Sequence, residues 1–280
     1  MTRHLNKDTI VCMSLAARPS NFGTRFHNYL YDALDLDYLY KAFTTRDLPG
    51  AIAGVRALGI RGCAISMPFK EDVIALVDEL DPSAQAIDSV NTLVNTDGYL
   101  KAYNTDFIAI AQLLAQYQVP PTWRFALQGS GGMAKAVACA LKQRGLHGHI
   151  IARNAERGQA LADLYGFGWQ PDLDGLQPDL LINATPLGMT GAEQETLAFS
   201  AAAIAGAQVV FDVVALPAET PLIRAARAAG KTVITGAEVF AIQAVEQFVL
   251  YTGVRPDDEL FQAAARYARE NRVPYLGLCL

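Results

Sequence analysis

The 280-residue chain has no run of about 18 uncharged apolar residues, which argues against a membrane-spanning helix. Its polar start, Met1–Asp8, carries no leader-like pattern, so a cytoplasmic location is expected. A basic field is also missing. Lys and Arg number 23 against 28 Asp and Glu, and the net charge of -5 points away from nucleic acid as a partner. Cysteine is sparse: Cys12, Cys63, Cys139 and Cys279 show neither metal-ligand spacing nor the density of a secreted disulfide scaffold. Their apolar surroundings predict buried free thiols. His27, His147 and His149 are too dispersed to suggest catalytic-metal ligands, so no metal is expected. What is present is core material, with 51% hydrophobic residues, enough for two ordinary domains or one large one. Charge and apolar content permit a monomer or a homodimer and do not choose between them.

Strand-like and helix-like segments alternate, which predicts an α/β fold. Thr9–Leu15, Tyr38–Ala42 and Cys63–Met67 read as strands, Phe26–Leu34 and Asp47–Leu58 as helices, with Asp47 as a cap and Gly59 as a stop. Lys70–Leu80 has helical periodicity, and Thr92–Asn95, Asp97-Gly98 and Tyr99–Tyr103 read as a hairpin. A linking helix over Asp106–Tyr117 and the Pro120-Pro121 boundary precede a second series: strand Arg124–Gln128, helix Met133–Arg144, strand His149–Ala152, helix Glu156–Tyr165. Further strands are expected at Leu180–Asn183, Gln208–Asp212 and Thr232–Ile234, and helices at Glu238–Tyr251 and Asp257–Arg269. Ala198–Ala207 and Ala225–Ala229 are helical on propensity alone.

The strand Phe125–Gln128 runs into Gly129-Ser130-Gly131-Gly132 and then a helix. Gly129 can make the tight turn, and Gly131 and Gly132 let a pyrophosphate approach backbone amides at a helix start. A glycine cluster alone is weak, but strand, turn and helix in this order point to a dinucleotide. An NAD-binding fold usually offers an acidic residue near the end of the next strand, about 20 residues on. Here that strand ends in Ala152-Arg153-Asn154-Ala155-Glu156-Arg157. Arg153 and Arg157 can fork around a 2′-phosphate and Asn154 can donate or cap, which favours NADP over NAD. Asn183-Ala-Thr185-Pro186-Leu-Gly188-Met189 suits a loop close to a flat cofactor, with Met189 over the nicotinamide.

Hydride transfer to or from a ketone needs a proton donor or acceptor at the reacting oxygen. Lys70, after Ser66-Met67-Pro68-Phe69, and Asp106, in Asn104-Thr105-Asp106, are the candidates. From composition alone, each is more often a surface residue or a helix cap.

Taken together, these segments resemble the shikimate dehydrogenase family over most of the chain. The landmarks are Ser66–Lys70, Ser89-Val-Asn91-Thr92, Asn104–Asp106, Gly129–Gly132, Asn183–Met189, Asp212…Pro217…Thr220-Pro221-Leu222 and Gly236…Gln243. The resemblance implies a two-domain α/β enzyme. It has a substrate-binding domain over 1–106, a Rossmann-type NADP-binding domain over 107–237, and carboxy-terminal helices over 238–280 returning to the first domain. It implies a catalytic pair of Lys70 and Asp106, with Asn21, Ser66, Asn91, Thr105 and Gln243 on the substrate. The cofactor set would be Gly129, Ser130, Gly131, Gly132, Arg153, Asn154, Arg157, Thr185, Met189 and Gly236, and the reaction reversible oxidation of shikimate or a related cyclic hydroxy acid.

Four departures suggest a divergent shikimate dehydrogenase-like subgroup. Asn21 and Gly23 stand where the family generally presents two serines to the substrate carboxylate, with Ser20 and Thr24 as partial substitutes and Arg25 as an optional ionic contact. A lost hydrogen bond to a charged group costs about 1.5–3 kcal/mol, roughly 10- to 150-fold in binding. Ala215 replaces a common Tyr, Val239-Phe240 a Met-Leu pair, and Ala152 the usual Asn. Quinate or another polyol, with NAD or NADP, therefore stays open as substrate. So does a catalytically weak nucleotide-binding regulatory protein, against which the presence of both Lys70 and Asp106 argues.

Overall fold

The computed structural model describes residues 5–269, and among these the chain forms two compact units. The first takes the chain up to Asp81, Val90–Tyr103 and the segment from Ala244; the second takes Pro82–Ser89 and Asn104–Gln243. The chain thus passes from one unit to the other four times.

In the first unit, strands β1 (Ile10–Leu15), β2 (Tyr38–Phe43), β3 (Gly62–Ile65), β4 (Glu79–Leu80), β5 (Thr92–Thr96) and β6 (Tyr99–Tyr103) form a sheet in the order β2-β1-β3-β5-β6-β4. β1 runs parallel to β2 and β3, and β5 is antiparallel to β3 and β6. The β5–β6 hairpin turns on Asp97 and Gly98, with φ of 52° and 87°. Two successive positive φ values match strand twist, which is why Asp-Gly is the sequence for the job. Helices α1 (Phe22–Ala33) and α2 (Leu48–Ala57) connect the strands. Asp47 caps α2 by accepting from the Gly50 amide at 2.9 Å, and Gly59 ends it at φ 62°.

Two expected helices differ. α1 starts at Phe22, four residues before the expected Phe26. Lys70–Leu80 forms only a 3-10 turn over Asp72–Leu76 followed by β4. The helical period loses there because Asp78 bonds Arg56 and accepts from the Leu100 amide at 2.7 Å, drawing the segment into the sheet.

The second unit opens with α3 (Pro82–Gln85) and α4 (Thr105–Gln116). Its sheet contains β7 (Arg124–Gln128), β8 (His147–Ile151), β9 (Gly168–Gln170), β10 (Leu180–Asn183), β11 (Val209–Asp212) and β12 (Thr232–Thr235). Its order is β12-β11-β10-β7-β8-β9, all parallel, as in a doubly wound dinucleotide fold. Alternate residues divide between two cores. Phe125, Leu127, Ile150, Leu180, Ile182 and Phe211 face one, Ala126, Ile151, Leu181 and Val210 the other. Helices α5 (Gly132–Gln143) and α6 (Ala155–Tyr165) supply the first core, and α7 (Ala201–Gly206) and α8 (Pro221–Ala228) the second. Apolar residues on both faces are what a parallel sheet buried on both sides demands.

Helix α9 (Gly236–Thr252) begins in the second unit and belongs to the first from Ala244. In the first unit α10 (Asp258–Arg269) packs on α1: Phe261 meets Phe26 edge-on at 6.4 Å, and Arg25 donates to the Tyr267 carbonyl at 2.7 Å. Cys12, Cys63 and Cys139 are buried free thiols, burial pushing Cys12 up to about 12; Cys279 lies outside the described residues. Among those residues no helix is long and apolar enough to cross a membrane.

Candidate active site

In the second unit the glycine turn lies at the carboxyl end of β7. Gly129 has φ 126°, donates to the Ile151 carbonyl at 2.9 Å, and a Cβ there would stand 2.9 Å from the Ala184 carbonyl oxygen. Only glycine fits this crossing. Gly131 is the N-cap of α5 without a side-chain cap, no acid occupies the first turn, and the Cβ positions of Gly131 and Gly132 are open. That leaves first-turn amides for an anion approaching the backbone. Ser130 lies within the same turn.

At the end of β8, Asn154 caps α6 by accepting from the Arg157 amide at 2.9 Å. Arg153 and Arg157 are exposed, and neither is engaged in an ion pair among the described residues. Both guanidinium groups therefore stand in solvent, as surface solvation alone would also place them.

The Asn183–Met189 loop is set by a buried network that sequence reasoning saw only as landmarks. The Asp212 carboxylate, fully buried, accepts from Asn183 Nδ2 at 3.0 Å, from the Val214 amide at 3.1 Å and from Thr220 Oγ1 at 2.6 Å. Burial pushes its pKa up against these bonds. Asn183 Oδ1 accepts from the Thr185 hydroxyl at 2.6 Å and its Nδ2 donates to the Leu187 carbonyl at 3.1 Å. Met189, the last residue of that loop, is 44% exposed. Gly236, expected on the cofactor, has a clear packing reason as well: a Cβ there would lie 2.4 Å from the Val213 carbonyl.

Also in this unit, Asn104 caps α4 by accepting from the Phe107 amide at 3.1 Å and donates to the Ser89 carbonyl at 2.9 Å. This fixes the first turn, where Thr105 and Asp106 are buried. Thr105 Oγ1 is 3.5 Å from Gln243 Oε1 of α9, so those two candidates come together. A separate recess of about 380 Å³, lined by Arg124, His149 and Gly175–Pro178, is at the opposite ends of the strands from the glycine turn.

In the first unit, Ser66, Lys70 and Asn91 are brought together by backbone straps. The Ile65 amide donates to the Asn91 carbonyl at 2.8 Å, the Val90 amide to the Lys70 carbonyl at 2.9 Å, and the Ser66 amide to the Leu15 carbonyl at 2.9 Å. The segment passes through a cis Met67–Pro68 bond. Lys70 is half-buried and Ser66 exposed. Gln247, which sequence reasoning missed, is buried and donates to the Asn91 carbonyl at 3.2 Å and to Thr92 Oγ1 at 2.9 Å. Its spacing of one helical turn from Gln243 was the available signal.

Asn21 is exposed at the N-cap of α1 and makes no side-chain cap bond. Gly23 faces the Tyr40 ring, whose hydroxyl would be 3.3 Å from a Cβ at that position. Arg25, the optional ionic contact, is instead tied to α10, with its guanidinium 4.3 Å from the Tyr267 ring centroid. Beneath them His27 stacks on Tyr40 at 4.3 Å, and its Nδ1 has no hydrogen-bond partner among the described residues.

Burial lowers the His27 imidazole to about 3 from an ordinary 6.5. The folded state therefore holds it neutral. Stability is intact above pH 6.5 and is lost as pH falls from 6.5 toward about 3, by up to about 1.4 kcal/mol per pH unit. Denaturant titrations at about pH 4 and about pH 7 should show His27→Phe flattening this acid limb. If the difference between wild type and variant is the same at both, His27 is not its source.

A family model described as the shikimate dehydrogenase substrate binding domain matches residues 22–93. A shikimate dehydrogenase-like protein of Haemophilus influenzae is 57% identical over 267 residues, covering 95% of this chain and 98% of its own. Among solved structures, shikimate 5-dehydrogenase from Thermus thermophilus in complex with NADP(H) and shikimate is 30% identical with a TM-score of 0.84, covering 92% of this chain and 99% of its own. Quinate dehydrogenase from Corynebacterium glutamicum in complex with NAD is 26% identical with a TM-score of 0.81, covering 92% and 98%.

Proposed function

Because the chain belongs to the shikimate dehydrogenase family of oxidoreductases, we propose that it catalyses NADP-dependent, reversible oxidation of shikimate or a closely related cyclic hydroxy acid to the keto acid. The observation that carries this reading is the strapping of Ser66 and Lys70 to Val90-Asn91 at the ends of the central strands β3 and β5. The backbone there carries a hydroxyl, an amine and an amide on neighbouring positions, the groups that recognition of a hydroxylated ring would use.

In this reading the nicotinamide cofactor supplies the hydride acceptor and donor. Gly129–Gly132 would take its pyrophosphate, Arg153, Asn154 and Arg157 its 2′-phosphate, and Thr185, Met189 and Gly236 the nicotinamide side. Lys70 Nζ holds the reacting hydroxyl and removes or returns its proton. Asp106 orients that hydroxyl, while Asn21, Ser66, Asn91, Thr105 and Gln243 bind the remaining substrate oxygens. The altered carboxylate end, with Asn21 and Gly23 in place of two hydroxyls, supports a second substrate class. The quinate-acting neighbour makes quinate its first member.

Following nicotinamide absorbance with shikimate and quinate, each with NADP and NAD, tests the reading. NADP should be preferred by about 10- to 150-fold, the factor for a hydrogen bond to a charged group. Turnover confined to NAD would refute the arginine clamp. Tight NADPH binding with no turnover on any cyclic hydroxy acid would replace the enzyme with a nucleotide-binding regulator.

A further inference from the structure

Resting on the NADP reading above, we infer that Trp169 is a positioning residue for the 2′-phosphate clamp and so for the choice between NADP and NAD. The clamp residues Arg153, Asn154 and Arg157 are flanked in sequence by Ala152 and Gly158, and both flanks rest on Trp169. The indole Nε1 donates to the Ala152 carbonyl at 3.1 Å. From the same short strand, the Gln170 carbonyl accepts from the Ala152 amide at 3.1 Å. Both backbone polar groups of the residue before Arg153 are thus held by β9. On the other flank, a Cβ at Gly158 would lie 2.3 Å from Trp169 Nε1 and 2.9 Å from the Ala152 Cβ. Only a glycine at 158 and a small residue at 152 leave the ring its place, and the ring itself packs against the main core of the unit.

The arginines that the indole brackets are exposed and, among the described residues, without ion pairs. A long exposed side chain gains specificity for a phosphate only where its backbone origin is fixed, because its own rotamers supply no order. Between Arg153 and Arg157 the capped first turn of α6 sets their separation. Trp169 sets where that turn starts relative to β8. Loss of the indole N–H leaves the Ala152 carbonyl without its donor and frees the loop at its root, with no group of the nicotinamide side disturbed.

The test compares binding of 2′,5′-ADP with that of 5′-AMP by calorimetry, using the full-length protein. Wild type should prefer the 2′-phosphorylated compound, and Trp169→Phe should lower that preference about fivefold, the factor for one neutral hydrogen bond. Turnover should divide accordingly, with KM for NADPH raised, KM for NADH unmoved and kcat at saturation kept. Gly158→Ala, which displaces the ring by steric contact, should act in the same direction. A ring needed only for packing would lower melting temperature without moving the ratio of the two ligands. If wild type binds both ligands equally, the NADP reading itself falls. If wild type discriminates and either folded variant discriminates as well as it does, the role of Trp169 is overturned. In a Trp123→Phe background, where Trp169 is the remaining indole, its emission should respond to 2′,5′-ADP and not to 5′-AMP; an equal response to both also counts against the role. That last measurement needs no change at Trp169 or Gly158.

Discussion

Turnover of Lys70→Ala should fall about 10²- to 10⁴-fold with NADPH affinity within about twofold of wild type, the range expected when a positioned proton donor is removed. The placement of Lys70 explains why so large a loss can be confined to chemistry. Its segment is held by main-chain bonds from Val90 to Lys70 and from Ile65 to Asn91. Truncating the side chain therefore removes the amine and leaves the loop in place. The glycine turn and arginine pair belong to the other compact unit. Single-turnover absorbance changes with the substrate found in the screen, together with NADPH titration, separate the two effects. Wild-type rates in the variant would take Lys70 out of the reaction. An equal loss of NADPH binding would mean that the substitution damaged the fold.

The second large effect concerns stability. Asp212→Ala should destabilise the protein by about 3–5 kcal/mol, because three buried donors lose their acceptor while the relief of burying a carboxylate returns only part of the cost. The donors are Asn183 Nδ2, the Val214 amide and Thr220 Oγ1. Asp212→Asn should lie within about 2 kcal/mol of wild type, since an amide oxygen still accepts from Asn183 and Val214. Urea midpoints for both variants decide the matter, and similar losses in the two would mean that charge, not acceptor geometry, matters at this position. The sign with pH also follows. A carboxyl raised by burial binds its proton more tightly when folded, so its contribution to stability is larger below its ordinary range and declines as pH rises through its folded value.

Local chemistry was legible where it sufficed to decide structure. Asp97-Gly98 announced its hairpin because two positive φ values admit few other pairs. Asp47 and Gly59 announced the ends of α2, and the apolar strands of the parallel sheet were continuous enough to stand out. The glycine turn was legible for the same reason, Gly129 being required by a backbone crossing. What was lost depended on distant partners. Nothing within Lys70–Leu80 says that Asp78 will meet Arg56 and the Leu100 amide. β9 has three residues, one of them glycine, and exists by pairing with β8. α8 was readable but underused: Thr220-Pro221 is a cap followed by an N1 proline, and Thr220 accepts from the Ile223 amide at 3.2 Å.

At the candidate site the residue types were legible and their supports were not. Asn183, Asp212 and Thr220 lie far apart in sequence and become one network only through the β10–β11 register, which pairs Asn183 with Asp212. Gln247 and Tyr40 likewise act through neighbours that sequence spacing does not bring forward, namely the Asn91 carbonyl and the space above Gly23.

The four passages between units also set an order of events during synthesis. Residues 104–243 emerge almost unbroken, so the second unit can close as it is made. The first unit has all its strands by Tyr103, yet α1 must await α10, which ends at Arg269. At about 5–20 residues per second the ribosome needs on the order of ten to thirty seconds to deliver it. For that interval the flank of α1 that carries Phe26 lacks its cover from Phe261, and the demand on chaperones falls on the amino-terminal part of the nascent chain.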